Sequence, residues 1–229
     1  MMTTSSIYLK DLKFAYRSKT NVPSPLVLNI DELKIFSGEK IFLFGPSGHG
    51  KSTLLNIIAG VLEVSEGHVE VLNTNLHKIS QSSRDHLRGE NVGYIFQIFN
   101  LIPYLNVKEN IILPCLINKK RAQGIDFNSQ ADDLIKILGL TDHALKNVTD
   151  LSIGQQQRVA AARALIGNPQ IIIADEPTSS LDEKNTTDFM NLLLSEWEKR
   201  KFTLVFVSHD TSLKKYFPRT ISLPDINKI

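Results

Sequence analysis

One stretch constrains this chain more than any other: Gly45-Pro46-Ser47-Gly48-His49-Gly50-Lys51-Ser52-Thr53. It fits the pattern G-x-x-x-x-G-K-[ST]. An apolar run at 40–44 precedes it, of the kind that suits a buried parallel strand. After it, Leu54, Leu55, Ile57 and Ile58 recur at helical spacing, and Gly60 can end that helix. Glycines at this density let the backbone curl with its N–H groups pointing inward. The start of the helix adds unsatisfied donors and a positive dipole end. Lys51 brings a point charge suited to β- and γ-phosphates, and Ser52 a hydroxyl suited to Mg²⁺. His49 lies inside the loop with its side chain expected to point outward. The stretch therefore reads as a strand, a polyphosphate cradle and a helix.

The other 220 or so residues have to supply a sheet around that unit. A chain of 229 residues accommodates one large α/β domain or two small lobes, and buries about 70% or more of its unfolded surface without staples. Its 26 basic and 24 acidic residues leave a formal charge of only +2, which argues against bulk nucleic-acid binding. Cys115 is the single cysteine, so no internal disulfide forms, and a lone thiol suits a reducing cytosol. The N-terminus shows no basic region followed by a long apolar stretch, hence no secretory signal. Apolar runs such as 41–44 and 171–174 fall far short of the ~20 residues that span a bilayer. Work at a membrane would need a membrane-embedded partner.

Along the chain, residues 7–16 alternate apolar and polar as an edge strand does, 17–25 reads as a loop, and 26–36 resumes a strand pattern. Ser37-Gly38-Glu39 is a turn. A strand at 67–72 follows the helix. Residues 99–164 are mainly helical, with breaks at Pro103, Pro114, Gly124 and Gly139. Buried strands at 170–174 and 203–208 flank a helix at 186–200, and a short tail follows. The pattern predicts an α/β fold: a parallel-sheet core, an N-terminal antiparallel β portion and an inserted α-helical subdomain. As a single domain, 1–98 and 166–229 would form the core with its β-subdomain, and 99–165 the helical subdomain.

Five further motifs follow in order. They are Tyr94-Ile95-Phe96-Gln97; Leu151-Ser152-Ile153-Gly154-Gln155, continued by Gln156-Gln157-Arg158-Val159; Ile171-Ile172-Ile173-Ala174-Asp175-Glu176-Pro177-Thr178; Ser180-Leu181-Asp182; and Val207-Ser208-His209-Asp210. Two carboxylates at the end of a buried strand sit where ligands of open α/β sheets bind. Asp175 can orient a metal or its waters there, and Glu176 can polarise a water. His209 ends another buried strand and reaches the same edge.

With the phosphate loop, these motifs strongly resemble those of ABC ATPases over nearly the whole chain. The likeness implies the P-loop NTPase core of an ATP-hydrolysing ABC transporter subunit using ATP and Mg²⁺. Asp175 and Glu176 would be the Walker B acid and the catalytic glutamate. Gln97 and Ser52 would reach Mg²⁺ with Asp175, and His209 the γ-phosphate, while Tyr16 would stack on adenine. Ser152, Gly154 and Gln155 resemble the signature that contacts the γ-phosphate bound by a second copy, with Asp182 communicating across that dimer. Ile153 departs from the family's usual glycine, and Ile does not readily adopt a positive φ. A homodimer or heterodimer of ATPase subunits on integral membrane permease subunits is implied, peripheral on the cytoplasmic membrane face, without nucleic acid or membrane insertion. The segments 96–103 and 106–114 are similar to the lipoprotein-release, macrolide-export and cell-division group, and 100–104 would face the permease. The alternative is a soluble ABC-type ATPase acting on nucleic acid or the ribosome.

Overall fold

The computed structural model describes residues 4–16, 24–64 and 66–229. Most of the expected loop at 17–25 lies outside the described residues. In chain order the elements are β1 (Ser5–Phe14), β2 (Leu28–Phe36), β3 (Lys40–Phe44), α1 (Lys51–Ile58), β4 (Glu66–Val71), β5 (Thr74–Asn75), α2 (Gln81–Asn91), β6 (Val92–Ile95), α3 (Val107–Ile117), α4 (Phe127–Ile137), α5 (Ile153–Leu165), β7 (Ile171–Asp175), α6 (Glu183–Arg200), β8 (Thr203–Val207), β9 (Arg219–Ser222) and α7 (Leu223–Ile226). Two compact units result: Met1–Asp85 with Thr203–Ile229, and His86–Phe202. The fold is α/β. Of its five parallel strands, β8-β3-β9 lie in that order in the first unit and β6-β7 in the second.

In the first unit an antiparallel sheet runs β2-β1-β4-β5. β1 pairs with β2 on one side and β4 on the other, so it is internal rather than the edge strand expected. Alternation reports that a strand has two unlike faces, and says nothing about how many neighbours it bonds. Ile7 and Leu9 are buried, then Leu12 and Phe14. The register of burial slips because Asp11 adopts φ 50° at a bulge between Lys10 and Lys13.

β3 is buried through Ile41, Phe42 and Leu43, with parallel neighbours on both sides, which explains its unbroken apolar run. The segment expected to be a mere tail contributes β9. Arg219, Thr220 and Ser222 give that strand no apolar signature, and its pairing with β3 is what defines it.

In the second unit β6 and β7 run parallel with Val92 opposite Ile171. Each long helix starts on a side-chain cap: Asn106 for α3, Asp126 for α4, Ser152 for α5 and Asp182 for α6. Pro114 does not break the helical block where a break was expected. It sits inside α3 with three residues to follow, and Asn118 N–H still closes the last turn on Pro114 O at 3.0 Å. Near a helix end the missing proline donor costs a single ladder bond.

Gly93 settles how β6 meets α5. A Cβ there would lie 2.1 Å from Ala164 O and 2.5 Å from Ile172 Cδ1, so only glycine lets strand and helix approach this closely.

Candidate functional site

The first unit carries the phosphate loop. Gly50 is the N-cap of α1, at φ 88°, and no side chain caps that helix. A side chain at Gly50 would also collide with Leu28 Cδ2 at 2.9 Å and Val27 O at 3.0 Å. The first-turn N–H groups of α1 therefore have no side-chain competitor for an anion. Lys51 Nζ folds back over the loop, donating to Gly45 O at 2.8 Å and Pro46 O at 3.0 Å. That keeps a full positive charge at the loop. His49 is exposed and its Nδ1 meets Ser47 O at 3.1 Å, so its ring turns back on its own turn.

Tyr16 is brought to the same loop: its hydroxyl bonds Thr53 Oγ1 at 3.0 Å, and its ring meets Phe14 edge-on at 5.0 Å. The ring is half exposed. His209 reaches the loop's edge of the sheet. β3 and β8 are parallel with Leu43 opposite Val207, and Gly45 and His209 each follow two residues later. Asp210 turns the chain away by capping Ser212 N–H at 2.9 Å.

The second unit repeats this arithmetic. Ile95 pairs with Ala174 in parallel register, so Gln97 and Glu176, each two residues further on, leave β6 and β7 at one edge. Gln97 is exposed. Asp175 ends β7 and is hydrogen-bonded by the Tyr94 phenol. Burial first, then the Asp175 charge and that bond, push the phenol's pKa well above its ordinary value. Tyr94 in turn stacks on Phe96 with centroids 4.1 Å apart. Glu176 is 9% exposed and held at φ 49°. A glutamate in the left-handed region is a strained residue, of a kind that concentrates at functional sites.

Ser152 caps α5 in a capping box. Its N–H donates to Gln155 Oε1 at 2.9 Å, and Gln155 N–H donates to Ser152 Oγ at 3.4 Å. Ile153 opens the helix without a positive φ and is exposed, so the substitution leaves the cap intact. A Cβ on Gly154 would lie 3.2 Å from Asn185 Oδ1. Asn185 is held by Asp182, through N–H to Oδ1 at 2.7 Å and Nδ2 to Oδ2 at 2.9 Å. Those bonds, the backbone one first, lower the Asp182 carboxyl pKa.

Sequence reasoning did not single out Tyr94, Asn185 or Arg163 for these supporting roles. Arg163 donates to Phe99 O at 2.7 Å and Asn100 O at 2.6 Å, pinning the chain just after Gln97; burial lowers its pKa. The sequence held only a faint signal, an aromatic pair before Gln97 and an arginine on a helix.

A phosphate loop between a buried parallel strand and a helix in one unit, with two acids at the end of the buried parallel strand β7 in the other, defines a nucleotide-binding α/β protein of the P-loop class. Comparison with known proteins narrows this. The family model described as ABC transporter matches residues 28–179. The chain is similar to a lipoprotein-releasing system ATP-binding protein, LolD, of Bacteroides thetaiotaomicron (36% identical, covering 87% of this chain and 90% of the relative). It is similar to the bacitracin export ATP-binding protein BceA of Halalkalibacterium halodurans (35%, 92% and 82%). Among solved structures it resembles the dimeric post-hydrolysis state of the ATP-binding cassette MJ0796 bound to ADP and Pi, at TM-score 0.83 and 36% identity, covering 94% and 93% of the two chains; MJ0796 comes from Methanocaldococcus jannaschii. The chain belongs to the ABC transporter family as an ATP-binding cassette, and it is an ATPase. Among the described residues no helix is long and apolar enough to cross a membrane.

Proposed function

We propose that this cassette works as one of a pair of subunits that close over two ATP molecules and drive a conformational change in a membrane-embedded permease. The observation that carries the reading is the start of α1, which has no side-chain cap and ends a loop held by Lys51. It offers backbone donors and one fixed cation to a polyphosphate.

Within that reading, the N–H groups of 45–53 and Lys51 hold the β- and γ-phosphates, and Tyr16 lays its exposed ring face on the adenine. The Ser52 hydroxyl, Gln97 and Asp175 are the residues that would hold Mg²⁺, oxygen donors with one carboxylate, a chemistry that suits that ion. An Mg²⁺ bound by them would supply positive charge to offset that of the polyphosphate. A Glu176 carboxylate oxygen takes the proton of the attacking water, while Gln97 and His209 orient the water and the γ-phosphate. Lys51 and the loop donors hold the charge that spreads over the phosphoryl group in transit. Ser152, Gly154 and Gln155 act on the nucleotide of the second copy, with Asp182 beside them. LolD and BceA, named for lipoprotein release and bacitracin export, support a permease partner of that group, and MJ0796 supports a homodimer. The segment 99–165 is proposed as the helical subdomain, with 100–104 on it facing the permease.

Glu176→Gln tests this. The variant should bind ATP, accumulate as an ATP-dependent dimer and turn over at least about 100-fold more slowly. Turnover near that of the parent chain refutes the assignment.

A further inference from the structure

The signature end of α5 is held by a relay that reaches beyond the signature itself. Ser152 N–H donates to Gln155 Oε1 at 2.9 Å. A backbone N–H needs an acceptor, so this bond decides which end of the Gln155 amide is oxygen. The amide's nitrogen end then faces Nε2 of His143 at 3.1 Å. An amide nitrogen only donates, so His143 must accept at Nε2 and carry its ring proton on Nδ1. Nδ1 is shut off from solvent and meets no hydrogen-bond partner among the described residues, so no competing bond turns the ring away from Gln155. The ring is delivered by the 3-10 turn Thr141–His143, anchored by the fully buried Leu140, whose carbonyl accepts from His143 N–H at 2.9 Å.

We propose that His143 is a positioning residue for the shared nucleotide site. It locks Gln155 in the orientation that closes the capping box, and through the box aims the Ser152 hydroxyl and the Gly154 N–H at the nucleotide held by a second copy of this chain. The proposal rests on the reading that the signature acts on the partner's nucleotide. The chemistry is specific. Ser152 Oγ accepts from Gln155 N–H at 3.4 Å, which leaves its own proton as the one to donate to a phosphate oxygen. Without the His143 acceptor the Gln155 amide is free to rotate, the Ser152 bond weakens and the hydroxyl loses its direction. His143 acts through Gln155, with which it shares a unit and a hydrogen bond.

The test uses the full chain in the Glu176→Gln background. It measures ATP affinity of the isolated chain with a fluorescent ATP analogue, ATP-driven dimerisation by sedimentation, and thermal unfolding. His143→Phe should weaken dimerisation about tenfold, the scale of one net hydrogen bond, with ATP affinity and melting temperature unchanged. His143→Gln, whose side-chain oxygen can accept from the Gln155 amide, should restore most of the loss. Ser152→Ala is the control. If it weakens the dimer and His143→Phe does not, the positioning role is overturned and the shared-site reading stands. If Ser152→Ala leaves the dimer intact, the shared-site reading fails and takes the proposal with it. Equal losses in the Phe and Gln variants, or a parallel fall in ATP affinity or melting temperature, also overturn it.

Discussion

Arg121→Met asks whether one buried cation can stand in for two helix caps. Arg121 is 5% exposed, and no carboxylate is among its hydrogen-bond partners. It donates to Ile166 O at 2.9 Å, Ala164 O at 2.7 Å, Val92 O at 2.8 Å and Gly89 O at 3.4 Å. Residues 89, 164 and 166 lie at the ends of α2 and α5, where carbonyls run out of intrahelical donors. Burial lowers the guanidinium pKa to about 10. Methionine would remove a buried charge, an effect of several kcal/mol in its favour when nothing compensates. Here the negative ends of two helix dipoles compensate in part, so the gain is about 2 kcal/mol. Against it stand the three shorter carbonyl bonds, about 1.5 to 2 kcal/mol each when left dry, or about 5 kcal/mol together. The net loss is about 3 kcal/mol, a fall of roughly 6–12 °C in melting temperature for a chain of this length. Arg121→Lys keeps the charge but reaches fewer carbonyls and should fall between. Thermal unfolding of the nucleotide-free chain reads the result. A Met variant within about 2 °C of the parent refutes the capping argument. A Lys variant that melts below Met would show that the charge costs more than its bonds return.

Three other outcomes follow from the site. Above about pH 10 only unfolded chains lose the Tyr94 proton, since folding raises that pKa from its ordinary 10.0. Its stabilisation is therefore whole below that pH and lost above it at about 1.4 kcal/mol per pH unit. Tyr94→Phe should melt lower than the parent at about pH 8, with the gap narrowing towards about pH 11; a constant gap contradicts this. Ile153→Gly should raise ATPase rate and dimer affinity by freeing the exposed face at the start of α5, despite up to about 1 kcal/mol of lost helix propensity; unchanged values count against crowding by Ile153. Tyr104 is 80% exposed, and Tyr104→Asp should leave the isolated cassette's ATPase rate intact while blocking co-purification with its membrane subunits. Normal assembly removes 100–104 from the docking surface.

Local chemistry made part of this molecule legible. The glycines, Lys51 and the flanking apolar run specify β3, the loop and the start of α1 within 20 residues, and Ser152 and Asp182 are cap residues on sight. What escaped was whatever depends on distant chain. In α2, QSSRDHLRGEN, only Arg84 is buried, so no apolar period marks the helix. β9 exists because β3 needs a second neighbour, and the internal place of β1 follows from β4 arriving some 55 residues later. Site residues divide the same way. Asp175 and Glu176 stand out as acids after an apolar strand, whereas the Tyr94 bond to Asp175 depends on the β6-β7 register. No spacing rule reveals that a histidine twelve residues before Gln155 in the chain would meet it.

The distribution of roles between the two units bears on how binding and hydrolysis separate. The backbone donors of the phosphate loop and the Lys51 cation lie in Met1–Asp85, preorganised by glycine conformation and the Lys51 bonds. Both acids argued to drive chemistry lie in His86–Phe202, one tied to Tyr94 and the other held at a strained φ. A grip built from backbone donors is insensitive to side-chain substitution at the acids. That is why loss of the Glu176 charge should leave ATP bound while turnover stops. The strain at Glu176, about 1–3 kcal/mol for such a conformation, is tolerable because Ser179 N–H closes on Glu176 O at 3.2 Å and Leu181 N–H on Thr178 O at 3.1 Å. Those two turns lead straight to the Asp182 cap and to Asn185 beside Gly154. Ten residues, 176–185, thus run from the carboxylate proposed to activate water to the side chain that lies beside the helix start proposed to serve the second copy.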